Sequence, residues 1–227
     1  MLKLKASETI QSEAQMKSNM DKMYRWTRHI YDFTRKYYLL GRDDLIKHLN
    51  ANDNDDICEV GCGTARNLIK MQRAYPNANF YGLDASDEML KTANAHLENA
   101  SLESKVTLKQ AFSQSFDPKT LFELKKPLDK IVFSYALSII PPWKESIDHA
   151  ISLLPSGGEM HIVDFGGQRR LPKWLRNFIF WWLRQFHVYY KPDILRYLKK
   201  LHRDGAGELD VTYLYRGYTY RAVFKKI

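Results

Sequence analysis

One stretch constrains this chain more than any other: Asp55-Asp56-Ile57-Cys58-Glu59-Val60-Gly61-Cys62-Gly63-Thr64-Ala65-Arg66-Asn67. Residues 57–60 read as a short buried strand. Gly61 and Gly63 make an abrupt turn, and Leu68, Ile69 and Met71 then begin a helical face. The glycines let the backbone bend tightly and let a ligand approach with no Cβ in the way. A turn of this kind, at the carboxyl end of a parallel strand, is where open α/β sheets bind nucleotide-like ligands.

The remainder of the chain repeats the strand–helix alternation. Helices are expected over 64–74, 86–97 and 145–154, the second capped by Ser86. Strands are expected at 57–60, 79–84, 106–109, 128–134 and 159–164, with a closing antiparallel pair at 209–215 and 218–224 joined at Arg216-Gly217. Ahead of them, aromatic residues from Met23 to Tyr38 follow helical spacing. This predicts an α/β fold: Rossmann-like and doubly wound, with a mostly parallel seven-stranded sheet and a C-terminal antiparallel hairpin. All 227 residues form one domain in this reading. An N-terminal helical cap (1–54) precedes a βαβ core (55–165), a basic aromatic helical insertion (166–204) and the closing hairpin (205–227).

Bulk properties exclude several classes. With 44% hydrophobic and 27% charged residues the composition is that of a globular protein. The net charge of +9 favours an anionic partner, either nucleic acid or an acidic membrane surface. Cys58 and Cys62 are the only cysteines; they read as buried thiols, and no metal site is expected. The longest apolar run, 178–183, is far below the ~20 residues that span a bilayer as a helix. A cytoplasmic protein, peripheral on the cytoplasmic membrane face, is the expectation.

The dinucleotide fingerprint needs a third glycine where this chain has Arg66, so a dehydrogenase is disfavoured. Two carboxylates stand out instead: Glu59 beside the turn and Asp84 at the end of the second strand. A carboxylate in the latter place accepts hydrogen bonds from ribose hydroxyls. One in the former can take a cationic amine or organise the loop. Glu59-Val60-Gly61-Cys62-Gly63, Asp84 and the closing hairpin together resemble the class I S-adenosylmethionine-dependent methyltransferases. The resemblance implies S-adenosyl-L-methionine as cofactor and S-adenosyl-L-homocysteine as its product. It places Glu59, Gly61 and Gly63 around the methionine part, Asp84 on the ribose, and Ala85 and Met89 beside the adenosine. Where that class often has an acidic residue for the adenine amine, this chain has Gln110-Ala111-Phe112, with an amide as substitute. Ser134 and Tyr135 are implied to face the reacting sulfonium.

The acceptor is read from the flanks. Methyltransferases of nucleobase amines resemble one another in an Asn/Asp-Pro-Pro-aromatic motif after strand four. Here Ser134-Tyr135-Ala136-Leu137 occupies that place and Pro141-Pro142-Trp143 comes later, which disfavours nucleic acid. Between Gln168 and Arg203 lie ten basic residues and one acidic residue, Asp193, interleaved with Trp and Phe. Arg169, Arg170, Trp174, Phe178, Trp181 and Trp182 suit the headgroup boundary of an anionic membrane. The alternative is a lid over a soluble small molecule or over RNA.

A closer resemblance joins these features. Tyr31-Asp32-Phe33-Thr34-Arg35, the glycine turn, Ser134-Tyr135-Ala136-Leu137-Ser138 and Val163-Asp164-Phe165-Gly166 resemble the methyltransferase of bacterial betaine-lipid synthesis. This chain departs from that family at Ala65, where a glycine is usual. The resemblance implies three successive N-methylations of diacylglyceryl-homoserine, giving diacylglyceryl-N,N,N-trimethylhomoserine. The head group is supplied by a separate aminocarboxypropyl transferase. A quaternary ammonium product suits aromatic faces, for which Tyr24, Tyr31, Tyr135 and Trp143 are candidates. Arg25 or Arg35 would clamp the acceptor carboxylate. Tyr31, Asp32 and Tyr135 are the candidate catalytic groups, with Asp32 orienting the amine or accepting its proton.

Overall fold

The computed structural model describes residues 38–185 and 190–227. The chain opens with a short helix, α1 (Arg42–Lys47), and then alternates β1 (Asp56–Val60), α2 (Arg66–Ala74), β2 (Asn79–Asp84), α3 (Asp87–Asn99) and β3 (Val106–Gln110). It continues through α4 (Pro118–Phe122), β4 (Lys130–Ser134), α5 (Trp143–Leu153) and β5 (Glu159–Phe165). Helices α6 (Lys173–Arg184) and α7 (Pro192–Arg203) precede β6 (Gly207–Leu214) and β7 (Thr219–Lys226). One seven-stranded sheet results, in the order β3-β2-β1-β4-β5-β7-β6. The pairings from β3 through β5 are parallel; β7 runs antiparallel to both β5 and β6. This is the expected Rossmann-like sheet with its antiparallel close.

Both sheet faces are covered, so the central strands read as solid apolar runs. Alternation along each strand sends successive side chains to opposite layers. Ile57 meets Leu45, Leu68 and Met71 of the α1–α2–α3 layer. Cys58 and Val60 belong to the core cluster of the opposite layer, which also contains Ile147 of α5 and Ile194 and Leu198 of α7. The helix α7 therefore belongs to the sheet's own packing, and only α6 has the solvent-facing aromatic character expected of the whole insertion. Helix α4 was not anticipated in the sequence; its local signal is Asp117, whose carboxylate accepts from the backbone N–H of Lys119 and Thr120.

The turn after β1 is built from left-handed backbone: φ is 73° at Gly61, 54° at Gly63 and 63° at Ala65. Ala65 is fully buried and caps α2 without a side-chain hydrogen bond. An L-residue here costs about 1–2 kcal/mol, partly offset because alanine restricts the unfolded chain. Ala65→Gly is therefore expected to stabilise the protein by about 0.5–1 kcal/mol, raising Tm by about 2 °C in a calorimetric scan. A lowered Tm would show that the Ala65 methyl is worth more in packing than its backbone strain.

Candidate functional site

A cavity of about 450 Å³ opens at the carboxyl ends of β1, β2 and β4. Its floor is the glycine turn. Its sides come from Arg42 of α1, Asp84-Ala85 after β2, the 111–114 segment after β3, and the loop after β4.

Odd-numbered residues of β1 face α2, which puts Glu59 under that helix. Glu59 is 1% exposed, and its Oε1 accepts from Asn67 Nδ2 at 2.7 Å. Its Oε2 is buried with no hydrogen-bond partner. Burial pushes the carboxyl up to about 7, against the pull of the Asn67 hydrogen bond and of the Arg42 and Arg66 guanidinium groups. A buried acceptor left open at a cavity wall is a place for a cationic donor.

Asp84 closes the turn from the neighbouring strand. Its Oδ2 accepts from Gly63 N at 2.9 Å and its Oδ1 from Ser86 N at 2.9 Å. Asp84 is also among the residues lining the cavity, and a carboxylate is the acceptor type that hydroxyl donors of a ligand would need. Ser86 also caps α3, accepting from Met89 N at 3.4 Å.

The loop after β4 supplies the remaining wall through Ser134, Ala136, Ile139, Ile140, Pro141 and Pro142. It starts at Tyr135, whose φ of 56° turns the chain sharply off the strand. Tyr135 is among the residues lining the cavity, and its ring packs edge-on against Phe165. Its hydroxyl is turned inward, bonded to the Leu40 carbonyl and to Thr219 Oγ1 at 3.0 Å. Burial holds that phenol far above its ordinary value, so Tyr135 is not suited to accept a proton.

Glu59, Gly61, Gly63, Asp84, Ala85, Ala111, Ser134 and Tyr135 are thus brought together around one cavity. Three expected residues stand outside its wall. Gln110 is exposed and donates to the Ala85 carbonyl at 3.0 Å. Met89 is buried beneath α3. Trp143 begins α5 with its ring edge-on to Tyr197, 5.9 Å away, so Pro141 and Pro142 are the part of that motif that reaches the cavity. Tyr24, Arg25, Tyr31, Asp32 and Arg35 lie outside the described residues. Asn67 and Arg42 were missed in the sequence. Asn67 carried a usable signal, since it stands in the first turn of a helix that follows a buried acid. Among the described residues no cluster of His, Cys, Asp or Glu is arranged to hold a metal.

Comparison with known proteins agrees with this geometry. Residues 51–186 match the family described as "Methyltransferase domain". An uncharacterized protein of Methanocaldococcus jannaschii is 25% identical over 56% of this chain and 33% of its own length. Carboxy-S-adenosyl-L-methionine synthase of Campylobacter fetus is 31% identical over 50% of this chain and 46% of its own. The match thus spans less than half of either curated relative. Among solved structures, the plantazolicin methyltransferase BpumL in complex with SAH superposes with a TM-score of 0.66 at 12% identity, covering 96% of this chain and 98% of that one. With more than half of its length matched, the chain belongs to the methyltransferase-domain family.

Proposed function

We propose that this chain is an S-adenosylmethionine-dependent N-methyltransferase that acts on a lipid amine, with diacylglyceryl-homoserine as acceptor and its trimethylated betaine as final product. The observation that carries the cofactor half is Glu59: a buried carboxylate with one open oxygen beside a glycine turn that has no room for a side chain. A Cβ on Gly61 would stand 2.9 Å from the Ala136 methyl. Glu59 fits the ammonium of the cofactor and Asp84 its ribose hydroxyls. The turn lacks the Gly-Lys-Ser/Thr sequence of the nucleotide-triphosphate loop.

When bound, the cofactor would supply an electrophilic methyl on a sulfonium; a neutral amine would take that methyl in line as the C–S bond breaks, leaving S-adenosylhomocysteine as the thioether. The protein's part is to hold the amine close and aligned, which by itself supplies much of such an acceleration. The apolar wall formed by Ala136, Ile139, Ile140, Pro141 and Pro142 would keep water from the reacting centre. Asp32, which lies outside the described residues, is the candidate acceptor for the proton the amine loses between rounds. His161 is not in the wall; it is buried in β5 with Nε2 2.9 Å from Glu159 Oε2.

Helix α6 supports the lipid acceptor. Trp174, Phe178 and Trp181 are 72%, 56% and 58% exposed and recur at the spacing of one helical face. Arg169, Arg170, Lys173 and Arg184 are exposed around them, and α6 has no acidic residue. Trp182, expected at the membrane with them, turns inward and packs edge-on to Tyr38, ring centres 5.0 Å apart. Trp181 is thus the residue of that pair suited to a headgroup layer. Among the described residues no helix is long and apolar enough to cross a membrane, so contact with lipid would be peripheral. The acceptor comes from a separate aminocarboxypropyl transferase in this reading.

Labelled S-adenosylmethionine with diacylglyceryl-homoserine vesicles is expected to yield mono-, di- and trimethyl lipids. Label in a soluble amine alone would overturn the lipid acceptor and leave α6 as a lid; failure to bind SAH in calorimetry would overturn the cofactor. In flotation, Trp174→Ser/Trp181→Ser should no longer rise with phosphatidylglycerol vesicles. Its stability should stay within about 0.5 kcal/mol of wild type per site, because both rings are already in water.

A further inference from the structure

The loop 135–142 forms the side of the cavity where an acceptor must enter, and it contains no strand or helix of its own. Two side chains from the opposite side of the loop hold it. Asp164, at the end of β5, is 2% exposed; its Oδ2 accepts from Ser138 N at 3.0 Å. Lys191, the residue that starts α7, donates from Nζ to the Leu137 carbonyl at 3.3 Å and to the Ile140 carbonyl at 3.2 Å. A carboxylate thus takes the loop's N–H while an ammonium takes the carbonyls on either side of it. Each polar end of the short segment meets the charge that it prefers.

The two tethers are also coupled to each other. Burial pushes Asp164 up to about 6 and pushes Lys191 down, and each one's charge opposes the other's shift. Removing either leaves the other partly buried without its counter-charge. Remaining amides of the segment turn inward on the loop itself: Ile139 N and Ile140 N donate to the Ala136 carbonyl at 3.1 and 2.9 Å. The loop residues that line the cavity beyond Tyr135, namely Ala136, Ile139, Ile140, Pro141 and Pro142, all have apolar side chains.

Lys191 itself is well anchored. It directly precedes Ile194, Leu195 and Leu198, which are buried against the sheet. The ammonium is therefore fixed from the core, and the loop is fixed by the ammonium.

We propose that Lys191, with Asp164, is a positioning residue for the methyl acceptor: it sets the apolar wall of the cavity without touching the cofactor half of it. The kinetic arm of this proposal rests on the methyltransferase reading; its structural arm does not. Lys191→Met keeps the aliphatic stem and removes the donors. By hydrogen exchange, the Ser138, Ile139 and Ile140 amides should exchange about tenfold faster or more, the loss of a hydrogen bond from a charged donor. Amides in β1 and β2 should be unchanged, and SAH should bind within about twofold of wild type, since Glu59 and Asp84 are untouched. With diacylglyceryl-homoserine vesicles, kcat/KM should fall by about tenfold, the kinetic equivalent of the same loss. Lys191→Arg, which keeps the donors, should recover most of both effects.

Unchanged exchange in the loop would overturn the proposal, as would a loss of SAH binding equal to the loss of turnover. If Lys191→Met does not fold, Lys191→Gln, whose amide is too short to bridge both carbonyls, takes its place. Collapse of both variants would make Lys191 a residue of general stability and equally overturn the proposal. Failure of wild type to bind SAH would defeat the methyltransferase reading alone and leave the exchange experiment standing.

Discussion

Glu59→Gln is expected to stabilise the cofactor-free protein at pH 8 while weakening SAH binding by about 30-fold or more, the scale on which a buried charged partner is lost. The two effects have one origin. In the unfolded chain the carboxyl loses its proton near its ordinary value of 4.5, whereas in the folded protein it keeps it to about 7, because burial disfavours the anion. Folding takes up a proton between those values, so the stability present below pH 4.5 declines as pH rises through 7. Holding an ionised Glu59 at pH 8 costs about 3 kcal/mol, an order-of-magnitude figure from the size of that shift. A glutamine has no charge to bury and still offers its oxygen to Asn67 Nδ2. What it loses is the anion that would meet the cofactor's ammonium at the place of the open Oε2. Thermal scans from pH 5 to 9, with SAH titrations at the same values, check both signs. Wild type should lose Tm toward high pH relative to the variant, and its SAH affinity should rise over the same interval. A variant less stable than wild type at pH 8 would place the ionised form as the favoured one in the empty site.

Gly61→Ala should cost about 3 kcal/mol of stability and also blunt the cofactor site. Its φ of 73° is left-handed, and the new methyl would lie 2.9 Å from the Ala136 Cβ. That neighbour is a short side chain on the loop after β4, which cannot move aside without moving its backbone. The clash would therefore be relieved by shifting the loop held by Asp164 and Lys191, opening the cavity at its floor and its side together. Urea unfolding measures the first effect and SAH calorimetry the second. A loss of stability with unchanged SAH affinity would show that the turn adapts without disturbing the ligand's place.

Much of the site was legible because its chemistry is local. A strand of four apolar-framed residues, two glycines and a helix start were enough to locate the turn. The second acid, Asp84, was found by counting to the end of the next strand. Residues whose roles depend on packing were harder. Trp143 looked like a substrate aromatic until α7 supplied Tyr197 as its neighbour. Trp181 and Trp182 are chemically the same and one position apart, yet a step of 100° around α6 sends one to solvent and the other to Tyr38. Tyr135 stands where a reacting group was expected, but only the fold brings Leu40 and Thr219 to its hydroxyl.

By itself, then, the sequence determined the alternation of strands and helices, the antiparallel close of the sheet, and the two carboxylates that flank the glycine turn. These follow from periodicities of two and of about 3.6 residues and from the backbone freedom of glycine, all of which act between near neighbours. Tertiary structure alone decided which acid keeps an open oxygen, which tryptophan is wet, and that Lys191 reaches back across 54 positions to hold Leu137. Those outcomes depend on what the sheet stacks together, and burial, not residue type, sets the charge, the exposure and the partner of each group.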